Sequence, residues 1–149
     1  IVPELTFAAV LALAYIMNYS GATATLGLSL ARTGVLFPFF SAFLGWLGVF
    51  LTGSDTSANA LFGNLQVISA QALSLNPVLM AAVNSTAGTL GKMVSLQSIA
   101  VATAATGMSR DNEAKLFLFT LKHSIALTIV MGLIALLFAY VFPGAIPGV

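Results

Sequence analysis

Two polar clusters interrupt the apolar runs of this chain. They read "GSDTSAN" at 53–59 and "NSTAGT" at 84–89, and both combine Ser, Thr, Asn and Gly. Within a membrane, such interruptions persist where they line a cavity inside the protein, because backbone groups left unpaired in lipid cost several kcal/mol each. Half-helix N-termini, hydroxyls and carbonyls at such breaks can surround a small anion, as in the substrate sites of secondary transporters. The two clusters therefore predict a substrate site.

Two charged side chains accompany the clusters. Lys92 lies 15 residues after Pro77, about 22 Å along a helix and past the middle of a hydrocarbon core about 30 Å thick. An ionisable residue at that depth indicates function, whereas the alternative is a lysine that extends its amine to the headgroups. Glycines and hydroxyls around Lys92 favour the functional role. Asp55 is either an N-cap at a surface turn or part of a buried tip, and the polar stretch that follows favours the buried tip.

The composition indicates a membrane protein. Of the 149 residues, 59% are hydrophobic and only 6% are charged, and the mean hydropathy is +1.04. A soluble domain has about 25% charged residues. The absence of cysteine excludes disulfides and thiol chemistry, and a single histidine with scattered carboxylates argues against a metal site. No basic tract suits nucleic acid. We expect the chain to be part of a longer membrane protein.

The apolar runs predict an all-α polytopic membrane protein. Four membrane-inserted segments follow one another: a first span at 3–31, a re-entrant helical hairpin at 35–75, a broken span at 77–106 and a last span at 116–142. We expect a kink near Ser20–Gly21, because Gly/Ser pairs bend helices. We also expect a non-helical hairpin tip at 52–59 and a helix break at 84–93. This arrangement is that of one half of an inverted-repeat transporter.

The basic residues predict an orientation. The 107–115 loop carries Arg110 and Lys115, with Lys122 nearby, whereas the opposite side carries only Arg32. The excess of lysine and arginine on cytoplasmic loops therefore predicts that 107–115 faces the cytoplasm. The mouth of the hairpin and the C-terminus are then expected outside.

Three motifs resemble the L-lactate permease family, whose members also carry glycolate. They are "YIMNYSGATATLGLSLARTG" at 15–34, "FPFFSAFLGWLGVFLTGSDTSANALFGNLQ" at 37–66 and "AAVNSTAGTLGKMVSLQSIAVA" at 81–102, and they cover about half of the chain. The resemblance implies a symporter of the bacterial inner membrane rather than an enzyme. Its substrates would be L-lactate and related 2-hydroxy-monocarboxylates such as D-lactate and glycolate, taken up with protons. It also implies that an N-terminal part completes the transporter.

The resemblance assigns roles to the polar residues. Lys92 offsets the charge of the substrate, and the predicted hydrogen-bond donors to its carboxylate are Ser54, Thr56, Ser57, Asn59, Asn84, Ser85 and Thr86. Asp55 is the predicted proton carrier, because its protonation removes a negative charge where an anion must bind. If Asp55 pairs with Lys92 instead, the carrier is His123, whose side-chain type changes charge near neutral pH, or a residue elsewhere in the transporter.

Several alternatives stay open. The expected partners are a small carboxylate, the lipid bilayer and the rest of the transporter, with no cofactor and with H⁺ as the coupling ion. A sodium-coupled or channel-like carrier of another organic anion is one alternative, although a channel needs a continuous polar pore. A membrane-embedded hydrolase subunit is another, although it needs a nucleophile or a carboxylate pair. The preferred hydroxy acid and the oligomeric state, including a homo-oligomer, are not determined by the sequence.

Overall fold

The computed structural model describes residues 2–146, without the side chains of residues 2–4, 6, 7, 110 and 111, as a set of packed helices. The α-helices are α1 (Val2–Tyr19), α2 (Ala22–Ala31), α3 (Phe37–Thr52), α4 (Asp55–Ala72), α5 (Pro77–Lys92), α6 (Leu96–Thr106) and α7 (Arg110–Tyr140). Two 3₁₀ helices occur at Gly34–Leu36 and Pro143–Ala145. The described residues contain no strand, and the predicted all-α class is confirmed.

Up to three segments of the described chain can cross a membrane. Gly34–Thr52 and Asn112–Tyr140 are each long and apolar enough to span it. Helices α1 and α2 form a third candidate span that bends by 73° between Tyr19 and Ala22. Gly21 lies at this bend with a φ of 78°, which favours glycine. The bend therefore falls where the sequence predicts a kink.

Helices α3 and α4 form an antiparallel hairpin with a two-residue tip. Ser41 contacts Gln66 far from the tip, and a Cβ on Gly48 would touch Ala58 nearer to it. Gly53 ends α3 with a φ of 69°, and Ser54 caps α4 by accepting a hydrogen bond from the Ser57 amide at 3.3 Å. The prediction of a non-helical tip over 52–59 is therefore wrong outside 53–54, because this cap starts the helix at once.

Helix α5 is continuous through the second polar cluster, so the predicted break within 84–93 is also wrong. Thr86 Oγ1 donates to Ala82 O at 2.8 Å, and Thr89 Oγ1 donates to Thr86 O at 2.7 Å. These hydroxyls donate to carbonyls of their own helix, a pattern that can bend a helix slightly without interrupting it. The break between 77 and 106 comes later, after Lys92, where Ser95 caps α6.

The glycines of α5 face α3 and allow the two parallel helices to approach closely. A Cβ added to Gly91 would overlap the carbonyl of Trp46, and one added to Gly45 on α3 would overlap the backbone of Asn84. Small residues permit such contacts between helices in lipid, where packing drives association. Helix α5 thus lies at the centre of the fold, packed against α3, α4 and α7.

Helix α7 runs antiparallel along α3 and fixes α5 from the other side. Ser124 accepts a hydrogen bond from Trp46 Nε1 at 2.7 Å and donates one to Leu90 O at 2.6 Å. At the far end of the pair, the Tyr140 hydroxyl donates to Val35 O at 3.1 Å. The position of α5, and of every polar residue on it, is therefore determined by neighbours on three helices.

We predict that Gly45→Ala destabilises the protein, whereas Gly63→Ala does not. A Cβ at Gly45 meets backbone atoms of Asn84, whereas a Cβ at Gly63, on α4, meets nothing within 4 Å. Overpacking costs about 1–3 kcal/mol or more, and replacing an unconstrained helical glycine adds helix propensity. Thermal unfolding of the purified full-length protein, followed by the loss of its monodisperse chromatographic peak, measures the difference. Equal midpoints for the two variants would contradict the close α3–α5 contact.

Candidate functional site

The candidate site is centred on Asp55, in the first turn of α4. Its Oδ2 accepts hydrogen bonds from Asn59 Nδ2 at 3.1 Å and from Ser85 Oγ at 2.8 Å. Its Oδ1 is buried and has no hydrogen-bond partner within the described chain. A Cβ at Gly88 would overlap Oδ1, so only glycine at this position of α5 accommodates the carboxylate. The two oxygens of one carboxylate therefore have very different environments.

Three carboxamide side chains extend from Asp55 into the core, and we call Asn59, Asn84 and Gln66 the amide relay. Asn84 Nδ2 donates to Asn59 Oδ1 at 2.7 Å, and Gln66 Nε2 donates to Asn84 Oδ1 at 3.2 Å. Gln66 and Asn84 are each 0% exposed. Buried amides are costly unless they are hydrogen-bonded. The relay therefore requires each of the three side chains to keep the orientation that pairs its NH₂ group with an acceptor.

The relay ends at Ser41 on α3, which is also fully buried. Gln66 Nε2 donates to the Ser41 backbone carbonyl at 3.0 Å, and Ser41 Oγ donates to Gln66 Oε1 at 2.8 Å. One continuous line of hydrogen bonds thus joins α3, α4 and α5 from Ser41 to Asp55.

A recess of about 480 Å³ opens beside Asp55. The residues that line it are Gly53, Ser54, Asp55, Thr89, Lys92 and Gln97. Lys92 Nζ donates to the Gly53 carbonyl and, at 3.2 Å, to Gln97 Oε1, rather than to Asp55. The ammonium group therefore lies at the C-terminal end of α3, where a helix carries partial negative charge. The ammonium group of Lys92, the hydroxyl of Ser54 and the carboxylate of Asp55 therefore belong to residues that line the same recess.

The structure brings six of the predicted residues into this region. Ser54, Asp55 and Lys92 line the recess, whereas Asn59, Asn84 and Ser85 surround Asp55 Oδ2 directly or through the relay. The donor groups of Asn84 and Asn59 are already engaged within the protein.

Four predicted residues lie elsewhere. Thr56 and Thr86 are exposed, and Thr86 bonds to its own helix. Ser57 is buried, with 5% of its surface exposed, and it does not line the recess. His123 is exposed on α7, where its Nδ1 lies 2.8 Å from Phe119 O and its ring packs on that of Phe119.

Sequence reasoning missed Ser41, Gln66, Thr89 and Gln97. One signal was available for Gln66, since Asp55, Asn59 and Gln66 are spaced four and seven residues apart and share one face of a helix. Nothing in the sequence indicated Gln97, because its contact with Lys92 depends on the break between α5 and α6. Within the part of the chain that the structure describes, no three His, Cys, Asp or Glu side chains are grouped to hold a metal ion.

The chain is similar to a family of membrane permeases. The family model described as L-lactate permease matches residues 1–142. Glycolate permease GlcA of Escherichia coli is 58% identical over 142 residues, which are 95% of this chain and 25% of that protein. L-lactate permeases of Salmonella typhi and Bacillus subtilis are 55% and 54% identical over 145 residues, which are 97% of this chain and 26% of each relative.

The relatives are longer proteins than this chain. The chain spans about a quarter of their length. The relatives are named as permeases and not as enzymes. No solved structure matches the chain.

We predict that Ser54→Cys reacts with small water-soluble thiol reagents much faster than Ser57→Cys. Ser54 borders the recess, whereas Ser57 is 5% exposed and does not line it. The chain contains no native cysteine to confuse the readout. Labelling rates of the two variants in the full-length protein, with remaining cysteines replaced by serine, measure the difference. Equal rates, or faster reaction at position 57, would contradict the recess geometry.

Proposed function

Because this chain belongs to the L-lactate permease family, we propose that it forms part of a proton-coupled secondary transporter. The transporter takes up L-lactate and related small 2-hydroxy-monocarboxylates, including D-lactate and glycolate, across the bacterial inner membrane. Relatives named for lactate and for glycolate support this substrate class. The observation that carries the mechanism is the recess, in which Lys92, Ser54 and the partly buried Asp55 meet.

Lys92 and Ser54 bind the substrate carboxylate in this proposal. The Lys92 side chain is exposed at the recess and has a long flexible stem, so its ammonium can turn from Gly53 O and Gln97 to an anion. Charge-assisted hydrogen bonds of this kind are the strong ones. Asn59, Asn84 and Ser85 contribute by holding Asp55, while Thr56, Ser57 and Thr86 remain predictions with no position at the recess.

Asp55 carries the coupled proton. Its carboxylate borders the recess that receives the anion, and two negative charges a few Å apart repel each other strongly where water is scarce. Protonation of Asp55 removes this repulsion, so a bound proton favours the anion and the anion favours the proton to the same extent. His123 is the alternative carrier, and its contacts lie on α7, away from this carboxylate.

The rest of the transporter and the bilayer complete the proposal. Residues 107–115 face the cytoplasm and the C-terminus lies outside, as the distribution of lysine and arginine favours. Sodium coupling is the second candidate, because Asp55 Oδ1 has no hydrogen-bond partner among the described residues, and carboxylate oxygens are ligands that hard cations prefer.

We predict that Lys92→Met weakens lactate binding about tenfold or more, because a hydrogen bond to a charged group is worth about 1.5–3 kcal/mol. Lys122→Met is the matched control, since Lys122 is exposed on α7 and does not line the recess. Equilibrium binding of labelled lactate to the purified full-length transporter measures both variants. Unchanged lactate affinity in Lys92→Met would contradict this role and indicate that Lys92 instead extends its amine to the lipid headgroups.

We predict that Asp55→Asn still exchanges lactate across vesicles but loses accumulation driven by a pH gradient, because the amide imitates a permanently protonated carboxyl. Glu113→Gln on α7, outside the recess, should retain accumulation. Uptake is measured with a proton gradient and separately with a sodium gradient. Gradient-driven accumulation by Asp55→Asn that equals wild type would eliminate Asp55 as the proton site, and accumulation driven by sodium alone would favour the second candidate.

A further inference from the structure

We propose that Gln66 is a positioning residue for proton coupling. Through Asn84 and Asn59 it keeps a donor on Asp55 Oδ2, and it thereby makes Oδ1 the oxygen that takes up the proton. The inference rests on the proposed function of Asp55. Gln66 itself lies deep in the helix hairpin, fully buried and beyond the recess.

The direction of the amide relay follows from its end at Ser41. A backbone carbonyl can only accept, so the NH₂ group of Gln66 must face Ser41 O. The same NH₂ group faces Asn84, which must therefore present its Oδ1 and direct its own NH₂ group at Asn59. Since Asn59 then accepts through Oδ1, its NH₂ group is left for Asp55.

This direction cannot be reversed one residue at a time. If Asn59 alone turned its carbonyl oxygen to Asp55, its NH₂ group would meet the NH₂ group of Asn84. If the whole relay turned, the Gln66 carbonyl oxygen would face the Ser41 backbone carbonyl, and this buried contact of two acceptors would replace the hydrogen bond from Gln66 Nε2. Each unmet buried group costs about 1–3 kcal/mol. The relay therefore presents a donor to Asp55 Oδ2 whatever the charge of that carboxyl.

The arrangement fits both protonation states of Asp55. As a carboxylate, its Oδ2 accepts from Asn59 and from Ser85. As a carboxylic acid protonated on Oδ1, its Oδ2 becomes the carbonyl oxygen and accepts the same two hydrogen bonds. A proton on Oδ2 would instead displace a donor. Proton uptake at Oδ1, next to Gly88, thus leaves the hydrogen bonds of the core unchanged.

Few other charged groups act on Asp55 from the helices packed against α4. Helix α5 contributes Lys92, which shares the recess. Helices α2 and α3 contain no titratable side chain, and Arg32 follows α2. Helix α1 contributes Tyr15 and Tyr19, which do not line the recess, and Glu4, whose side chain lies outside the described residues. Among the described residues, Lys92 is therefore the charged side chain whose effect must be separated from that of the relay.

The test is the pH dependence of lactate binding to the purified full-length transporter with Gln66→Met. Without the Gln66 amide, Asn84 and Asn59 are free to turn, and the Asn59 carbonyl oxygen can accept a hydrogen bond from a protonated Asp55. Losing a donor to the charged form and gaining an acceptor for the neutral form both favour protonation. We expect the pH of half-maximal binding to rise by about one unit, a tenfold change in proton concentration.

Gln71→Met is the matched control, because it makes the same substitution on the same helix at an exposed residue. Lys92 is present in both Gln66→Met and Gln71→Met, so a shift of the pH midpoint in Gln66→Met alone does not arise from the loss of that charge. If Gln66→Met does not fold, the double variant Ser41→Ala/Gln66→Met is tested in place of the single variant. It also removes the Ser41 hydroxyl, which Gln66→Met leaves without its partner.

Infrared difference spectra between high and low pH give an independent readout without lactate. The band of protonated Asp55, identified by its loss in Asp55→Asn, should shift in Gln66→Met because its carbonyl loses the Asn59 donor. Lack of lactate binding by the wild type would overturn the proposed function. Normal binding with the same pH midpoint and band position in Gln66→Met and Gln71→Met would overturn only the role of Gln66.

Discussion

The whole arrangement depends on the cost of burying amide groups in a protein surrounded by lipid. Gln66 and Asn84 are 0% exposed, and neither has access to water that could satisfy its hydrogen bonds, so each requires partners from the protein. Those partners lie on α3 and α4, at Ser41 and Asn59. The distance between the three helices is consequently set by hydrogen-bond length. Gly45, Gly88 and Gly91 allow that distance, because a Cβ at any of them would overlap a neighbouring helix or the Asp55 carboxylate.

This constraint makes Asp55 asymmetric and places it at the border of the recess. One oxygen receives the donors of Asn59 and Ser85, and the other is buried against α5 with no partner in the described chain. On the recess side, Lys92 lies at the end of α3, where it bonds Gly53 O. Positive charge and a group able to gain a proton therefore adjoin the same space, which is the chemical requirement for binding an anion together with a proton.

Sequence reasoning recovered the helical class and the polar hairpin, because hydropathy and helix-cap residues are local signals. The bend at Gly21 and the segments at 34–52 and 112–140 follow from the same signals. It misjudged α5, where Ser, Thr and Gly suggested a break. The threonines there bond to their own helix and the glycines accommodate α3, so the same residue types served tertiary packing. The relay and recess contacts that join α3, α4 and α5 link residues 18 to 39 positions apart, and a single sequence does not indicate which amides will meet.

The most direct test of coupling at this site is proton uptake during lactate binding. Lactate is added to the purified full-length transporter in weakly buffered solution at a pH where Asp55 is ionised, and the pH change is followed with an indicator dye. Linked binding predicts about one proton taken up per lactate bound by the wild type, and almost none by Asp55→Asn although that variant still binds lactate. Equal proton uptake by the two proteins would contradict the assignment of Asp55 as the proton-accepting group.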